Sequence, residues 1–446
     1  MSSNAKIKKT STFTLLIFVG ICIYLTSKML NKPFQHINKM KNYYILKTYC
    51  SRIFQVGSGN FWFEENTIGD DKSSFYRVYS SLLFFLYGFM TVLEIMAAVM
   101  GDFPEDEKRD SVTFAVSHTI VMIKIFSVIV NKEQIKDLNR RMIQICQAYE
   151  DEKLMAEKYR IMKINVIAYF GVVYGSAMCF VFEGLRKLFE GSHFVTIVTY
   201  YPFYEDNSVQ ATVFRIATTV ILYAMLMTMI VSVDSFTMAY LIIYKYKFIT
   251  LRHYFENIKI EFDRLNEIGN KKEAAEKLSQ GLIEGIIMHN DVLRLSKDID
   301  NAFGTVVALQ LCQSSGSAVS LLLQIALSDQ LTFVASMKII FFVVALFFLL
   351  GLFLCNAGEI TYQASLLSDA IFYCGWHACP PHVGSKKIRK IVLLAIMQAQ
   401  RPRDLESLHH ERVMKAFKML ELTYATFLLV VRSTYSVFAL FYAQNT

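Results

Sequence analysis

"MKIIFFVVALFFLLGLFLCNAG", residues 337–358, holds one charge, Lys338, in an otherwise apolar run. A hydrocarbon core of roughly 30 Å needs about 20 apolar helical residues to cross it. The run therefore reads as a membrane span. Six others accompany it: Val78–Met100, Ser111–Val130, Ile164–Leu185, Ala211–Tyr244, Phe303–Leu327 and Glu421–Tyr442. All six prolines fall outside the seven spans, as they should, because proline breaks helix interiors. The whole chain agrees, with 54% hydrophobic and 19% charged residues and a mean hydropathy of +0.35. A soluble chain usually carries about 25% charge. The sequence predicts an all-α membrane protein of seven transmembrane helices. Its net charge of +8 then reports topology rather than nucleic-acid binding.

Lys and Arg are distributed unevenly between the spans. Successive connections carry two, eight, two, ten, none and at least six. Short basic loops stay in the cytoplasm. The second, fourth and sixth connections are thus expected inside, with the amino end inside and the carboxyl end outside. A seven-helix G-protein-coupled receptor has the inverse orientation. Its Asp-Arg-Tyr and Asn-Pro-x-x-Tyr landmarks are also missing. The long inner connections mix charged and apolar residues at helical spacing, which predicts a helical cytoplasmic anchor layer. The fourth span exceeds the bilayer and should continue into that layer as helix.

The expected division is an atypical extension at 1–39, a cytoplasmic amino-terminal region at 40–77 and a six-helix ligand-binding bundle at 78–358. An anchor region at 359–420 and a last helix with its tail at 421–446 follow. The extension contains a short apolar stretch, Phe13–Leu25, after Lys6, Lys8 and Lys9. It reads as a signal-type segment, an anchor or an eighth span, or as lying upstream of a start at Met40.

Nothing points to catalysis, a cofactor or a metal. His-Glu-x-x-His, Gly-x-Ser-x-Gly and phosphate-binding glycine loops are missing. "CGWHAC" offers Cys374, His377 and Cys379 with no second cluster, which is weak as a metal site. Charged and ionisable residues inside spans say more, because they are costly unless they face protein or water. Among them are Glu94, His118, Lys124, Glu183, Asp234 and Arg432. Lys124 and Asp234 read as an interhelical ion pair, and Glu183 as pairing or snorkelling near the outer interface. Gln310, Gln313, Ser317, Ser320 and Gln324 form a stripe within roughly 80° of arc. That stripe either hydrogen-bonds a neighbouring helix or walls a ligand cavity. The chain holds 36 Phe and 24 Tyr. Phe114, Tyr174, Phe182, Phe214 and Tyr223, with Met178 and His118, lie in the outer halves of the spans. Together with Gln324 they are the candidate lining of a pocket for small apolar molecules.

The carboxyl-terminal third resembles the insect odorant receptors. The carrying stretches are "GEITYQASLLSDAIFYCGW" (358–376), "KKIRKIVLLAIMQAQRPRDLE" (386–406) and "TFLLVVRSTYSVFAL" (426–440). The matching residues are Ser365, Leu367, Ala370, Tyr373, Trp376, Gln400, Pro402, Thr426, Phe427, Tyr435, Ser436 and Phe438. Gustatory receptors close on Thr-Tyr, five apolar residues and Gln-Phe; here Phe441 stands in place of the glutamine. The resemblance implies an odorant-gated, non-selective cation channel of the plasma membrane in olfactory sensory neuron dendrites. It implies a volatile ligand, a heterotetramer with the odorant receptor coreceptor, and last helices lining a pore. Ser365, Tyr373 and Trp376 would then belong to the anchor layer, and Leu440 and Gln444 to the gate. With Leu440 facing the pore, Ser433 and Ser436 lie about 20° and 40° from it, and Arg432 about 80° away. The alternatives are a gustatory-type channel and, further off, a G-protein-coupled receptor or transporter.

Overall fold

The computed structural model describes residues 41–65, 67–100, 105–189, 209–326, 333–378, 385–400, 415–416, 420–421 and 424–445. The expectations for residues 1–39 lie outside them. Ten α-helices are found among the described residues. They are α1 (Asn42–Gln55), α2 (Ser74–Met100), α3 (Glu105–Val130), α4 (Lys132–Gln144) and α5 (Glu152–Phe189). Then come α6 (Val209–Glu267), α7 (Lys271–Ala326), α8 (Phe333–Phe372), α9 (Ser385–Gln400) and α10 (Tyr424–Asn445). A two-residue antiparallel pairing, Lys415–Ala416 with Leu420–Glu421, precedes α10.

Among the described residues, seven helices are long and apolar enough to cross a membrane: α2, α3, α5, α6, α7, α8 and α10. They coincide with the seven predicted spans. Several overrun them where the chain leaves the apolar region. α6 continues past Tyr244 to Glu267, α7 starts at Lys271 rather than near Phe303, and α8 continues past Gly358 to Phe372. Charge expels a helix from lipid without breaking it, since Lys, Glu and Arg are good helix formers. α6 has 59 residues and contains neither glycine nor proline. At 1.5 Å per residue it is roughly 90 Å long, about three hydrocarbon cores.

The overrunning ends of α6, α7 and α8 pack with α1, α4 and α9 into the predicted charged helical layer. A tight turn reverses the chain from α6 into α7. Gly269 sits there at φ +89°, a left-handed conformation that glycine adopts without steric penalty. The two helices then run close together. A Cβ at Gly285 of α7 would lie 2.5 Å from the Phe255 ring of α6, so only hydrogen fits.

α6 is the hub, packed against α1, α5, α7 and α8. Phe236, Met238, Ala239, Tyr240, Leu241, Ile242 and Ile243 are all fully buried. A helix buried on every side can be apolar all round. α2 is different: Phe75, Val78, Leu82, Phe85, Phe89 and Val92 are exposed along one face at spacings of three and four. The main apolar core runs from the helical layer well into the bundle. At the opposite end a smaller cluster, Ala318, Leu321, Ile339, Val343 and Leu346, joins α7 to α8. Phe114 and Phe180, both buried, belong to neither cluster.

Candidate functional site

The polar stripe of α7 bonds to α3 along its length. Lys124 of α3 donates to Gln310 and, at 3.0 Å, to Gln313. Asp234 of α6 lies 3.5 Å from Lys124 and accepts a hydrogen bond from Tyr169 of α5. One buried network thus joins four helices around the expected Lys124–Asp234 pair. Removing lysine from water is tolerable only with such compensation. Further along, Ser317 lies 3.3 Å from Ser117, and Ser320 lies 3.3 Å from Thr113. Gln324 donates to Asp110 at 3.4 Å, and Lys338 of α8 donates to the other Asp110 oxygen at 2.7 Å. Of the two meanings open for the stripe, interhelical bonding describes its contacts. Gln324 is buried within that ladder.

The outer end of the bundle, opposite the charged layer, contains an aromatic cluster. Phe114 of α3 packs 4.9 Å edge-on against Phe180 of α5 and 6.2 Å from Phe342 of α8, and Phe180 lies 5.2 Å from Phe342. Ring centroids in this range attract through their quadrupoles beyond simple burial. The Lys338 ammonium stands 5.0 Å from the Phe180 ring centre, a cation–π distance. On its other side Phe114 stacks 5.7 Å from the His118 ring. His118 Nδ1 lies 2.5 Å from Glu94 Oε2 of α2, and Tyr87 donates to the His118 carbonyl at 3.0 Å. Glu183 pairs locally, as expected, with Arg186 as its partner at 2.8 Å.

The structure therefore brings Phe114 and His118 together. Tyr174 and Met178, on α5, join the main apolar core rather than this cluster. Tyr174 stacks 4.1 Å on Phe170 with its hydroxyl 3.3 Å from Thr228, and Met178 is half-buried. Phe182 is not with them: it is 58% exposed on the outside of α5, and Phe180 occupies the cluster instead. The helical period holds the signal, since Phe180 continues the buried series Val173 and Ala177, whereas Phe182 is about 200° further round. Phe342 and Asp110 were not singled out in the sequence, nor were the contacts of Lys338 or the pairing of Glu94 with His118. Phe214 and Tyr223 fall on α6, but their side chains lie outside those described.

Among the described residues α10 packs mainly against α7 and α8. Thr426 and Thr434 are buried. Arg432, Ser433, Ser436 and Leu440 are exposed. Among the described residues Arg432 makes no ion pair within its own chain. The side chain of Gln444 lies outside those described. At the end of α8, the Ser365 hydroxyl donates to the Tyr362 carbonyl at 2.7 Å and Trp376 Nε1 to that of Phe372 at 2.7 Å. Tyr373 is exposed beside them. Cys374 is buried while His377 is exposed, and Cys379 lies outside the described residues. No group of three metal-ligating side chains occurs among the described residues.

The charged layer has its own buried knot. Lys247 donates at 2.6 Å to Glu150, and Asn42 of α1 donates to the same oxygen at 2.5 Å. Lys158 donates at 2.6 Å to Asn42. Burial pushes the Glu150 carboxyl up, but the ammoniums of Lys247 and Lys158 outweigh burial and hold it below the usual carboxylate range.

Comparison with known proteins places this architecture. The 7tm Odorant receptor family matches residues 106–435. The chain belongs to that family. It is an odorant receptor and a multi-pass membrane protein, in a family of receptors rather than enzymes. Its fold is that of the olfactory receptor OR5 from Machilis hrabei. The structure of OR5 in complex with eugenol superposes with a TM-score of 0.70 at 14% identity, covering 91% of this chain and 100% of that one. The structure described without eugenol gives 0.70 at 13% identity, covering 90% and 99%. No curated protein matches the receptor.

Proposed function

We propose that this receptor is the odorant-binding subunit of an odorant-gated, non-selective cation channel, working as a heterotetramer with the odorant receptor coreceptor. The observation that carries this reading is α10. Its most apolar stretch is only 11% buried within the chain, yet it exposes Arg432, Ser433 and Ser436. Polar groups at membrane depth require protein or water around them. An α10 surrounded by the same helix from other subunits meets that requirement, with serines toward an aqueous path and Leu440 and Gln444 at its gate. Arg432, about 80° from the Leu440 line, flanks that path rather than blocking it.

The ligand site is the outer cluster around Phe114 and His118, with Tyr174, Met178, Phe180 and Phe342. A buried aromatic seat suits a small volatile molecule, and the binding of eugenol by OR5 supports that class. The basic inner connections favour a cytoplasmic amino end and an extracellular carboxyl end, in the plasma membrane of olfactory sensory neuron dendrites. Whole-cell recording tests the reading. Volatiles should evoke cation current when the receptor and coreceptor are expressed together, and none of the receptor-dependent current when either is omitted. A receptor that adds nothing to the coreceptor across a broad volatile panel is not such a subunit. An amino-terminal tag accessible on intact cells would overturn the orientation.

A further inference from the structure

The outer cluster holds one acidic group whose chemistry is incomplete. Glu94 is fully buried in α2. Its Oε2 meets His118 Nδ1 at 2.5 Å, while Oε1 is buried with no hydrogen-bond partner among the described residues. The nearby Ser111 hydroxyl does not serve it, donating instead to the Glu94 backbone carbonyl at 3.2 Å. A carboxylate has about four acceptor positions, and a buried oxygen lacking a donor carries its full desolvation penalty. The contrast with the inner network is direct. There both carboxylate oxygens of Asp234 are matched, one by Lys124 and one by Tyr169.

The position of Glu94 gives the free oxygen a use. His118, which holds the opposite oxygen, stacks on Phe114, and Phe114 packs with Phe180 and Phe342. The carboxylate is thus one side chain away from the aromatic seat. Lys338 stands against Phe180 and is already paired with Asp110. The site therefore offers a ligand aromatic faces, one occupied cation and one unmet acceptor.

We propose that Glu94 is a specificity-determining residue of this site, and that it selects small aromatic or cyclic volatiles carrying a hydrogen-bond donor over isosteric ethers, esters and hydrocarbons. The ligand O–H or N–H donates to Glu94 Oε1 while His118 holds Oε2. An ether or ester brings only lone pairs to that oxygen. A hydrocarbon leaves it unmet. The inference rests on the reading of the receptor as an odorant-gated channel.

The test uses the receptor co-expressed with the coreceptor and four matched probes: benzyl alcohol, benzylamine, benzyl methyl ether and ethylbenzene. Benzyl alcohol or benzylamine should act at concentrations lower than the ether and hydrocarbon by about tenfold or more. Preference for the amine alone narrows the class to cations; preference for both assigns a neutral donor contact. Glu94→Gln keeps the shape but removes the charge and replaces one of the two acceptor oxygens by an N–H donor, so the alcohol-to-ether ratio should shrink. The ratio is independent of how many receptors reach the surface. Should the glutamine variant fail to reach it, Glu94→Asp withdraws the carboxylate by one methylene and should also shrink the ratio. A wild-type ratio near one, or a ratio unchanged in the variants, assigns the free oxygen to a buried water and overturns the proposal. Silence to all four probes while other volatiles evoke current overturns it too. Silence to every volatile removes the channel reading itself.

Discussion

α6 and α10 stand at opposite limits of what a membrane helix does for its own chain. The most apolar stretch of α6 is 89% buried within the receptor, against 11% for α10. α6 touches most of the bundle and carries Asp234 into its centre, where both carboxylate oxygens find donors. α10 lies along α7 and α8 and presents Arg432, Ser433 and Ser436 outward. In water an exposed serine says little. In a bilayer a serine can satisfy itself on its own helix, as Ser436 does on the Arg432 carbonyl, but an exposed arginine needs protein or water opposite. The difference teaches where each sequence feature acts. Polar groups on α6 hold one subunit together; in the proposed channel Arg432 and Ser433 of α10 face neighbours or water, while the Ser436 hydroxyl donates to the Arg432 carbonyl at 2.9 Å. Substitutions on the first should change folding, and on the second current.

The sharpest break of that comparison is Asp234→Leu. It strands the Lys124 ammonium in a buried site, and loss of one member of such a pair costs about 3–5 kcal/mol. The expected outcome is loss of surface receptor and a large fall in the thermal midpoint in detergent. The double variant Lys124→Met with Asp234→Leu should recover most of that loss, because two apolar side chains leave no unpaired charge. A double variant as unstable as the single one would mean that the network, not the charge balance, holds the four helices.

Gly285→Ala comes next. Its new methyl would meet the Phe255 ring at 2.5 Å, and overpacking of this kind costs about 1–3 kcal/mol. A lowered thermal midpoint with unchanged ligand sensitivity is expected, since Gly285 lies in the charged layer, far along α7 from the aromatic cluster. Acid should weaken the same layer through Glu150. Its folded pKa lies below the ordinary value, so its contribution is complete above about pH 4.3 and is lost as pH falls through the lower folded value. A thermal midpoint that falls over this acid range in wild type, and falls less in Glu150→Gln, checks the sign. Smaller still, Ser317→Ala removes one rung of the α3–α7 ladder, for which membrane hydrogen bonds average about 0.6 kcal/mol. A shift well above that would show that the ladder acts as a unit.

The seven spans were legible because bilayer thickness imposes a length and an apolar composition that few other constraints produce. The continuation of helix into the charged layer was legible in the long fourth span and in the spacing of the inner connections. The Lys124–Asp234 pair could be read too, since two opposite charges inside spans need each other. The site was legible only in part. Phe114 and His118 share one face of α3 because they are four residues apart, but the choice between Phe180 and Phe182 turns on 200° of helix rotation that an aromatic count does not contain. The polar stripe left interhelical bonding and a cavity wall both open, because periodicity along one helix names a face and not its partner. Glu94 and His118 are on different helices, so only the packing of α2 on α3 could reveal that they share a bond.

Arg432→Glu is the smallest expected change in stability and the most informative about α10. The side chain is exposed and unpaired within its chain among the described residues, so its replacement should move the thermal midpoint of the isolated subunit by no more than about 0.5 kcal/mol equivalent. The current should respond instead. A positive charge beside an aqueous cation path opposes permeant ions, and a negative one attracts them, with the effect screened over roughly 10 Å at ordinary salt. The variant should therefore conduct cations more readily at low ionic strength, with the gain shrinking as salt rises. If Arg432 instead pairs with an acid on a neighbouring subunit, the variant should lower recovery of the assembled receptor with its coreceptor while leaving the lone subunit intact. Wild-type current and wild-type assembly together would place Arg432 against lipid headgroups. The low burial of α10 would then reflect a helix at the rim of the assembly rather than at its axis.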